Sequence, residues 1–230
     1  HDTPRIASRF GNDDRYRYES ATLLATLLLT LPATPFLFQG DEIGMTNYPW
    51  SAREEMRDAD ATSRVDAALE SGAIDSFAEA EDVVRYRSRD NARTPVQWTD
   101  GEHAGFTDGE PWIGVNPDRD RVNVAADRDR DDSIFRFYSD LIDVRGDSEP
   151  LRYGVYDLLT DDHPRVWAYT RRTDDESVLV AVNWAGRTSR VDLGSAGAVE
   201  SVVACNYRDP GTDLGSVALR PYEARVYRLA

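Results

Sequence analysis

A chain of 230 residues has room for one large domain or two ordinary ones, and at 40% hydrophobic residues it can build a packed core and is too apolar for disorder. Its 27 basic residues stand against 42 acidic ones, a formal charge of −15 that repels nucleic-acid phosphates and anionic lipid and argues against both as partners. Every basic residue is arginine. A lysine-free, aspartate-rich chain suits a protein working at high salt, where screening relieves self-repulsion. A GC-rich genome would explain the missing lysine but not the acid excess. The single Cys205 rules out an internal disulfide framework and fits a reducing compartment, so a cytoplasmic location is expected. The longest apolar run, Leu23 to Leu31, carries Thr26 and Thr30 and is too short to span a bilayer, and no signal-peptide pattern opens the chain.

Residues 1–13 gather His1, Asp2, Asp13 and the arginines Arg5 and Arg9 around Pro4 and Gly11, which predicts a polar loop running into a helix. Composition alone is equally consistent with a solvated terminus. Asp13 or Asp14 is expected to cap a helix over 15–31 whose apolar stripe would pack on a sheet, with Pro32 ending it. The apolar run Pro35-Phe36-Leu37-Phe38 predicts a short parallel strand buried on both faces, followed at once by Asp41 and Glu42. Residues 43–98 show no strand: Ala52–Ala61, Val65–Leu69 and Phe77–Tyr86 read as helical, and 99–132 as loop. Ile134, Phe137, Leu141 and Val144 recur at helical spacing. From about 151 the pattern turns to short β-rich runs, Val155–Leu159, Val166–Tyr169, Val178–Asn183, Arg190–Leu193, Val199–Ala204 and Arg225–Leu229, separated by turn residues. That spacing predicts a small all-β antiparallel sandwich over 148–230, with the composition break near Asp147 as its boundary.

From the residues alone, Asp41 and Glu42 are the first choice for a general acid and base, being adjacent carboxylates behind a strand. Tyr48, Trp50, Trp98, Phe106 and Trp112 offer faces for the apolar side of a ligand, although each fits a core position more readily. His103, His163 and Cys205 show no metal-ligand spacing, Ser8 and Ser51 no triad pattern, and no glycine-rich phosphate loop is present, so no metal or cofactor is expected.

The opening HDTPRIASRFGND resembles the last conserved region of the α-amylase superfamily, glycoside hydrolase family 13, in its oligo-1,6-glucosidase and α-glucosidase branch. TPFLFQGDEIGMTN (34–47), RDNARTPVQW (89–98), AGFTDGEPWIGVNPD (104–118) and LRPYEARVYRL (219–229) resemble the same branch in the same order, which makes the signal specific. The resemblance implies an α/β fold: the C-terminal part of a TIM (β/α)8 barrel over 1–147, with at most two of its strands, ahead of the β domain. It implies a retaining glycosidase acting on terminal α-glucosidic bonds of an oligosaccharide substrate. Asp2 would be the third carboxylate, holding sugar hydroxyls in the transition state, with His1 donating to the same sugar. Arg89 would fix the sugar in the cleavage subsite; sequence alone does not distinguish Arg89 from Arg93, and both are equally suited to pairing with Asp90 or Glu102. The nucleophilic aspartate and acid glutamate would lie upstream of His1, in the missing N-terminal part of the same barrel. Asp41 and Glu42 are then cleft-shaping or structural residues, and residues 1–230 alone are expected to be inactive. Thr3 stands where the branch commonly has Gln, a difference bearing on fine specificity. The rival readings are a trehalose synthase-like or other transglycosylase on the same scaffold, and a non-catalytic amylase-like binding or assembly protein.

Overall fold

The computed structural model describes residues 1–230, which form two compact units. One consists of His1–Asp13 with Leu37–Phe135, the other of Asp14–Phe36 with Arg136–Ala230. This partition differs from the single boundary expected at 147/148. The physical reason is burial: helix α2 (Arg17–Thr30) has little polar surface of its own and groups with the sheet formed far downstream.

The second unit is built on a five-stranded antiparallel sheet. Its strands are β1 (Val155–Leu158), β2 (Val166–Arg172), β3 (Ser177–Asn183), β7 (Ala224–Leu229) and β5 (Val199–Cys205), lying in that order. Two shorter strands, β4 (Ser189–Val191) and β6 (Val217–Leu219), pair separately. Strand β6 lay outside the expected runs. Alternation along the strands sorts side chains onto two faces. Tyr169, Val178, Val180 and Val226 pack with Leu23 and Leu27 of α2 and with Leu151 of helix α8 (Glu149–Tyr153). Ala168, Leu179, Ala181 and Tyr227 pack on the opposite side with Leu193, Val217 and Leu219.

Helix α2 starts later than expected: Tyr16 is its N-cap and no side chain caps it, while Asp13 instead accepts the Ser8 hydroxyl at 2.5 Å. Its threonines tolerate burial because each hydroxyl returns to the preceding turn, Thr22 to Tyr18 O (2.7 Å), Thr26 to Thr22 O (2.8 Å) and Thr30 to Thr26 O (2.6 Å). Arginines serve its last carbonyls: Arg145 donates to Leu29 O and Arg171 to Thr30 O, both at 2.6 Å.

A buried ion cluster closes the same unit. Glu223 is fully buried and accepts from Arg220 Nη2 at 2.8 Å and Arg225 Nε at 2.7 Å. Burial alone would raise the Glu223 carboxyl, but hydrogen bonds from Arg220 and Arg225 outweigh it and hold it below its ordinary value. The stabilisation is therefore present above the unfolded-state value and lost as pH falls through the lowered folded value. Glu223→Gln strands both guanidiniums and is expected to lower stability by about 3–5 kcal/mol at neutral pH. Urea unfolding checks this, and a difference from the parent that does not shrink in acid would contradict the assignment.

The first unit contains no strand. Residues 34–38, expected as a buried parallel strand, are unpaired, with Phe36 83% and Leu37 48% exposed. An apolar run becomes a buried strand only where neighbours satisfy its backbone, and every ladder in these 230 residues is antiparallel and lies beyond residue 154. Short helices do most of the work: α1 (Ile6–Phe10), α3 (Ala59–Glu70), α4 (Glu81–Arg87), α5 (Asp90–Arg93) and α6 (Val124–Arg128), with α7 (Ile134–Asp147) passing into the second unit. The first turn of α7 is capped by Asp127, which accepts from Ser133 Oγ and from the amides of Ile134 and Phe135. Trp50, Met56, Val65, Val84 and Ile113 form an apolar cluster within the first unit.

Candidate active site

The site is assembled on a single turn. Helix α5 stops after one turn because Thr94 precedes Pro95 and is forced to extended backbone (φ −59°, ψ 143°). Arg89, itself helical at φ −64° and ψ −23°, and Arg93 are thus four residues apart on one side of it. Both reach Asp2. Arg93 Nη2 lies 3.3 Å and Arg89 Nη1 3.8 Å from Asp2 Oδ1, and His1 Nε2 lies 3.2 Å from Asp2 Oδ2. The side chains of His1 and Asp2 are 80% and 54% exposed, so this carboxylate is open to a ligand.

Each arginine is gripped from behind by a buried aspartate. Asp58, 3% exposed, takes Arg89 through two hydrogen bonds, from Nε to Oδ2 (2.9 Å) and from Nη2 to Oδ1 (2.5 Å). That fork holds the Asp58 carboxyl below the usual carboxylate range and raises the Arg89 guanidinium. Arg93 Nη1 donates to fully buried Asp90 at 3.2 Å. The other oxygen of Asp90 accepts the amides of Arg57 and Asp58, both at 2.7 Å. Of the two partners expected for the arginines, Asp90 pairs with Arg93, whereas Glu102 lies beside His103. Asp58 was missed in the sequence because the helix expected over Ala52–Ala61 ran across it. In the structure Asp58 is the N-cap of α3, accepting Asp60 N at 3.2 Å. An aspartate just ahead of an apolar period is the signal that would have found it.

Arg5 fixes the Asp2 loop to this turn. It is 1% exposed and donates from Nε to Asn91 O (3.0 Å), from Nη1 to Gln39 O (2.6 Å) and from Nη2 to Thr94 O (3.3 Å). Burial pulls the guanidinium down to about 10, against the field of Asp41, Glu42 and Asp118, and leaves it charged at neutral pH. Gly40 makes room for it: the residue has φ +95°, and a Cβ there would lie 2.9 Å from Arg5 Nη1 and 2.4 Å from Met45 Sδ.

Asp41 and Glu42 close their own turn. Asp41 Oδ2 accepts Phe38 N at 3.2 Å and Glu42 Oε2 accepts Gly40 N at 2.7 Å. Burial pushes the Asp41 carboxyl up to about 6, partly opposed by the Phe38 amide and by Arg5. Between pH 4 and 6 the native state thus keeps a proton that the unfolded chain releases, so this contribution is full below pH 4 and is lost as pH rises through 6. Asp41→Asn cannot ionise. Relative to the parent it is expected to gain up to about 3 kcal/mol between pH 4 and 7, and an unchanged difference in urea unfolding across that range would refute this.

Among the aromatic candidates, Trp50 is fully buried and donates Nε1 to Asn91 Oδ1 at 2.9 Å, a core role. Trp98, Phe106 and Trp112 are each at least half exposed. Beside Glu223 the Cys205 thiol is pushed up to about 11, first by burial, which makes it a poor nucleophile.

Residues 1–154 match the family of α-amylase catalytic domains, and the chain belongs to that family, glycoside hydrolase family 13. An oligo-1,6-glucosidase of Parageobacillus thermoglucosidasius is 40% identical over the whole chain, which spans 41% of that protein's length. The crystal structure of an isomaltulose synthase from Klebsiella sp. LX3 matches with a TM-score of 0.92 at 39% identity, covering 100% of this chain and 42% of that one. Trehalose-6-phosphate hydrolase from Bacillus licheniformis gives a TM-score of 0.94 at 35% identity over the same shares, 100% and 42%. The amylase-like part is therefore a segment of a (β/α)8 catalytic barrel, although this segment holds no paired strand of its own.

Proposed function

We propose that the complete protein is a retaining glycosidase that hydrolyses terminal α-glucosidic bonds of short oligosaccharides. The observation that carries this reading is the convergence of Arg89, Arg93 and His1 on the exposed carboxylate of Asp2, within a chain of the α-amylase family. Glycoside hydrolysis develops positive charge on the ring, and hydrogen bonds to the sugar hydroxyls strengthen as the ring distorts. Asp2 accepts from those hydroxyls and opposes the ring charge. His1 donates to the same sugar, and Arg89 uses its free donors to fix the non-reducing end. The nucleophile and general acid come from the remainder of the polypeptide. The oligo-1,6-glucosidase that matches the whole chain supports this substrate class.

A second reading has its own support, because the Klebsiella structure is an isomaltulose synthase. On that reading the glucosyl group passes to a sugar rather than to water. Purified full-length protein incubated with p-nitrophenyl α-glucoside, maltose, isomaltose and sucrose separates the two: free glucose with the released aglycone or sugar and no new disaccharide supports hydrolysis, and a new disaccharide from sucrose supports transfer. No turnover with retained glucose binding would favour the non-catalytic relative. Residues 1–230 alone serve as the control without a nucleophile. The charge of −15 without lysine supports a halophilic enzyme, for which activity should rise from low to molar salt in the same assay. A cytoplasmic location rests on the single cysteine.

A further inference from the structure

We infer that Asp58 is the positioning residue for Arg89, selecting which edge of its guanidinium meets the sugar; this rests on the glycosidase reading above. A guanidinium offers five N–H donors in a rigid plane. Asp58 takes the Nε–Nη2 edge with both carboxylate oxygens, at 2.9 and 2.5 Å. That leaves Nη1 and one hydrogen on Nη2, and Nη1 is the atom facing Asp2. At 3.8 Å the Nη1–Oδ1 separation exceeds a hydrogen bond, so neither group is saturated by the other and a sugar hydroxyl can be shared between them.

The grip is rigid for two further reasons. Asp58 caps α3, with Oδ1 accepting Asp60 N, so its χ1 is set by the helix it starts. Its own amide donates to Asp90, a residue of the same turn that carries Arg89 and Arg93. Asp58 thus links the start of α3 to the arginine turn. Rotation of a free Arg89 would otherwise move its tip by more than an ångström, and errors of that size cost up to about 100-fold in rate.

The cap separates placement from folding, since Asn and Ser cap a helix about as well as Asp. Asp58→Asn keeps one acceptor for the fork and Asp58→Ser keeps no carboxylate. In the full-length enzyme, kcat/KM for p-nitrophenyl α-glucoside is expected to fall about 10-fold in the first and about 100-fold in the second, with melting temperatures near the parent's. Arg89→Ala combined with Asp58→Asn should be no slower than Arg89→Ala alone. If Asp58→Asn turns over like the parent, or if the two losses multiply in the double variant, Asp58 does not act through Arg89. Losses that merely follow melting temperature would make Asp58 a helix cap and nothing more. A parent enzyme inactive on every α-glucoside overturns the glycosidase reading and this inference with it, whereas an active parent with an unaffected Asp58→Asn overturns the inference alone.

Discussion

Replacing Asp2 by Asn in the complete enzyme should lower kcat about 1,000-fold while leaving stability within about 1 kcal/mol of the parent. The asymmetry follows from where Asp2 sits. Its side chain is 54% exposed and its partners Arg93 and Arg89 each have a second, buried carboxylate, so the fold loses only solvent-screened pairings. The chemistry loses more. Asn preserves the shape but puts a donor where the second acceptor oxygen stood and cannot oppose charge on the ring, and sugar hydroxyl bonds of this kind supply several kcal/mol in the transition state. Because they strengthen as the ring distorts, the loss should fall mainly on kcat, with KM changing little. Steady-state kinetics with a thermal melt tests both halves. An enzyme that retains a tenth of its kcat would remove Asp2 from the reacting sugar.

Arg5→Met is expected to cost about 3 kcal/mol of stability and to depress activity beyond what the loss of folded protein explains. Two effects oppose each other. Removing the guanidinium relieves the burial that pulls its pKa down to about 10, a gain of about 3 kcal/mol. Against that, the carbonyls of Gln39, Asn91 and Thr94 lose their donor, each costing about 1–3 kcal/mol when buried. Three orphaned acceptors outweigh one relieved cation. Lysine should not rescue, since one ammonium cannot span three carbonyls spread across the separate backbone positions 39, 91 and 94. The excess loss of activity arises because those contacts set the Asp2 loop against the turn bearing Arg89. Urea unfolding gives the first quantity and kcat per folded molecule the second. A variant as stable as the parent would mean that water replaces the guanidinium.

The sheet was readable because its central strand is a short, unbroken apolar run bounded by turn residues: residues 178–182 are buried on both faces, Val178, Val180 and Val182 in one core and Leu179 and Ala181 in the other. Strand β6 was not, since three residues, Val217–Leu219, carry too short a period and are defined as a strand only by pairing with β4. Pro35–Phe38 misled in the opposite sense, an apolar run whose pairing depends on strands that these residues do not contain. At the site, His1, Asp2 and Arg89 came with the family pattern, whereas the shared side of Arg89 and Arg93 appears only with α5, a single turn too short to show a period. Asp90, three residues before Arg93, was an expected partner of the arginines, but Asp58 was opaque for a physical reason. An ion pair between residues 31 positions apart leaves no periodic trace, and the cap that would have flagged Asp58 was hidden inside a helix drawn too long.

The order in which α2 and its sheet leave the ribosome has a consequence for synthesis. Thr30 and its hydrogen-bonded partner Tyr169 are 139 residues apart. At about 5–20 residues per second, α2 waits roughly 7–28 s with Leu23 and Leu27 uncovered before the strands that bury them exist. The nascent chain therefore carries a sticky helix for that interval, and a chaperone that shields it should raise the yield of folded protein.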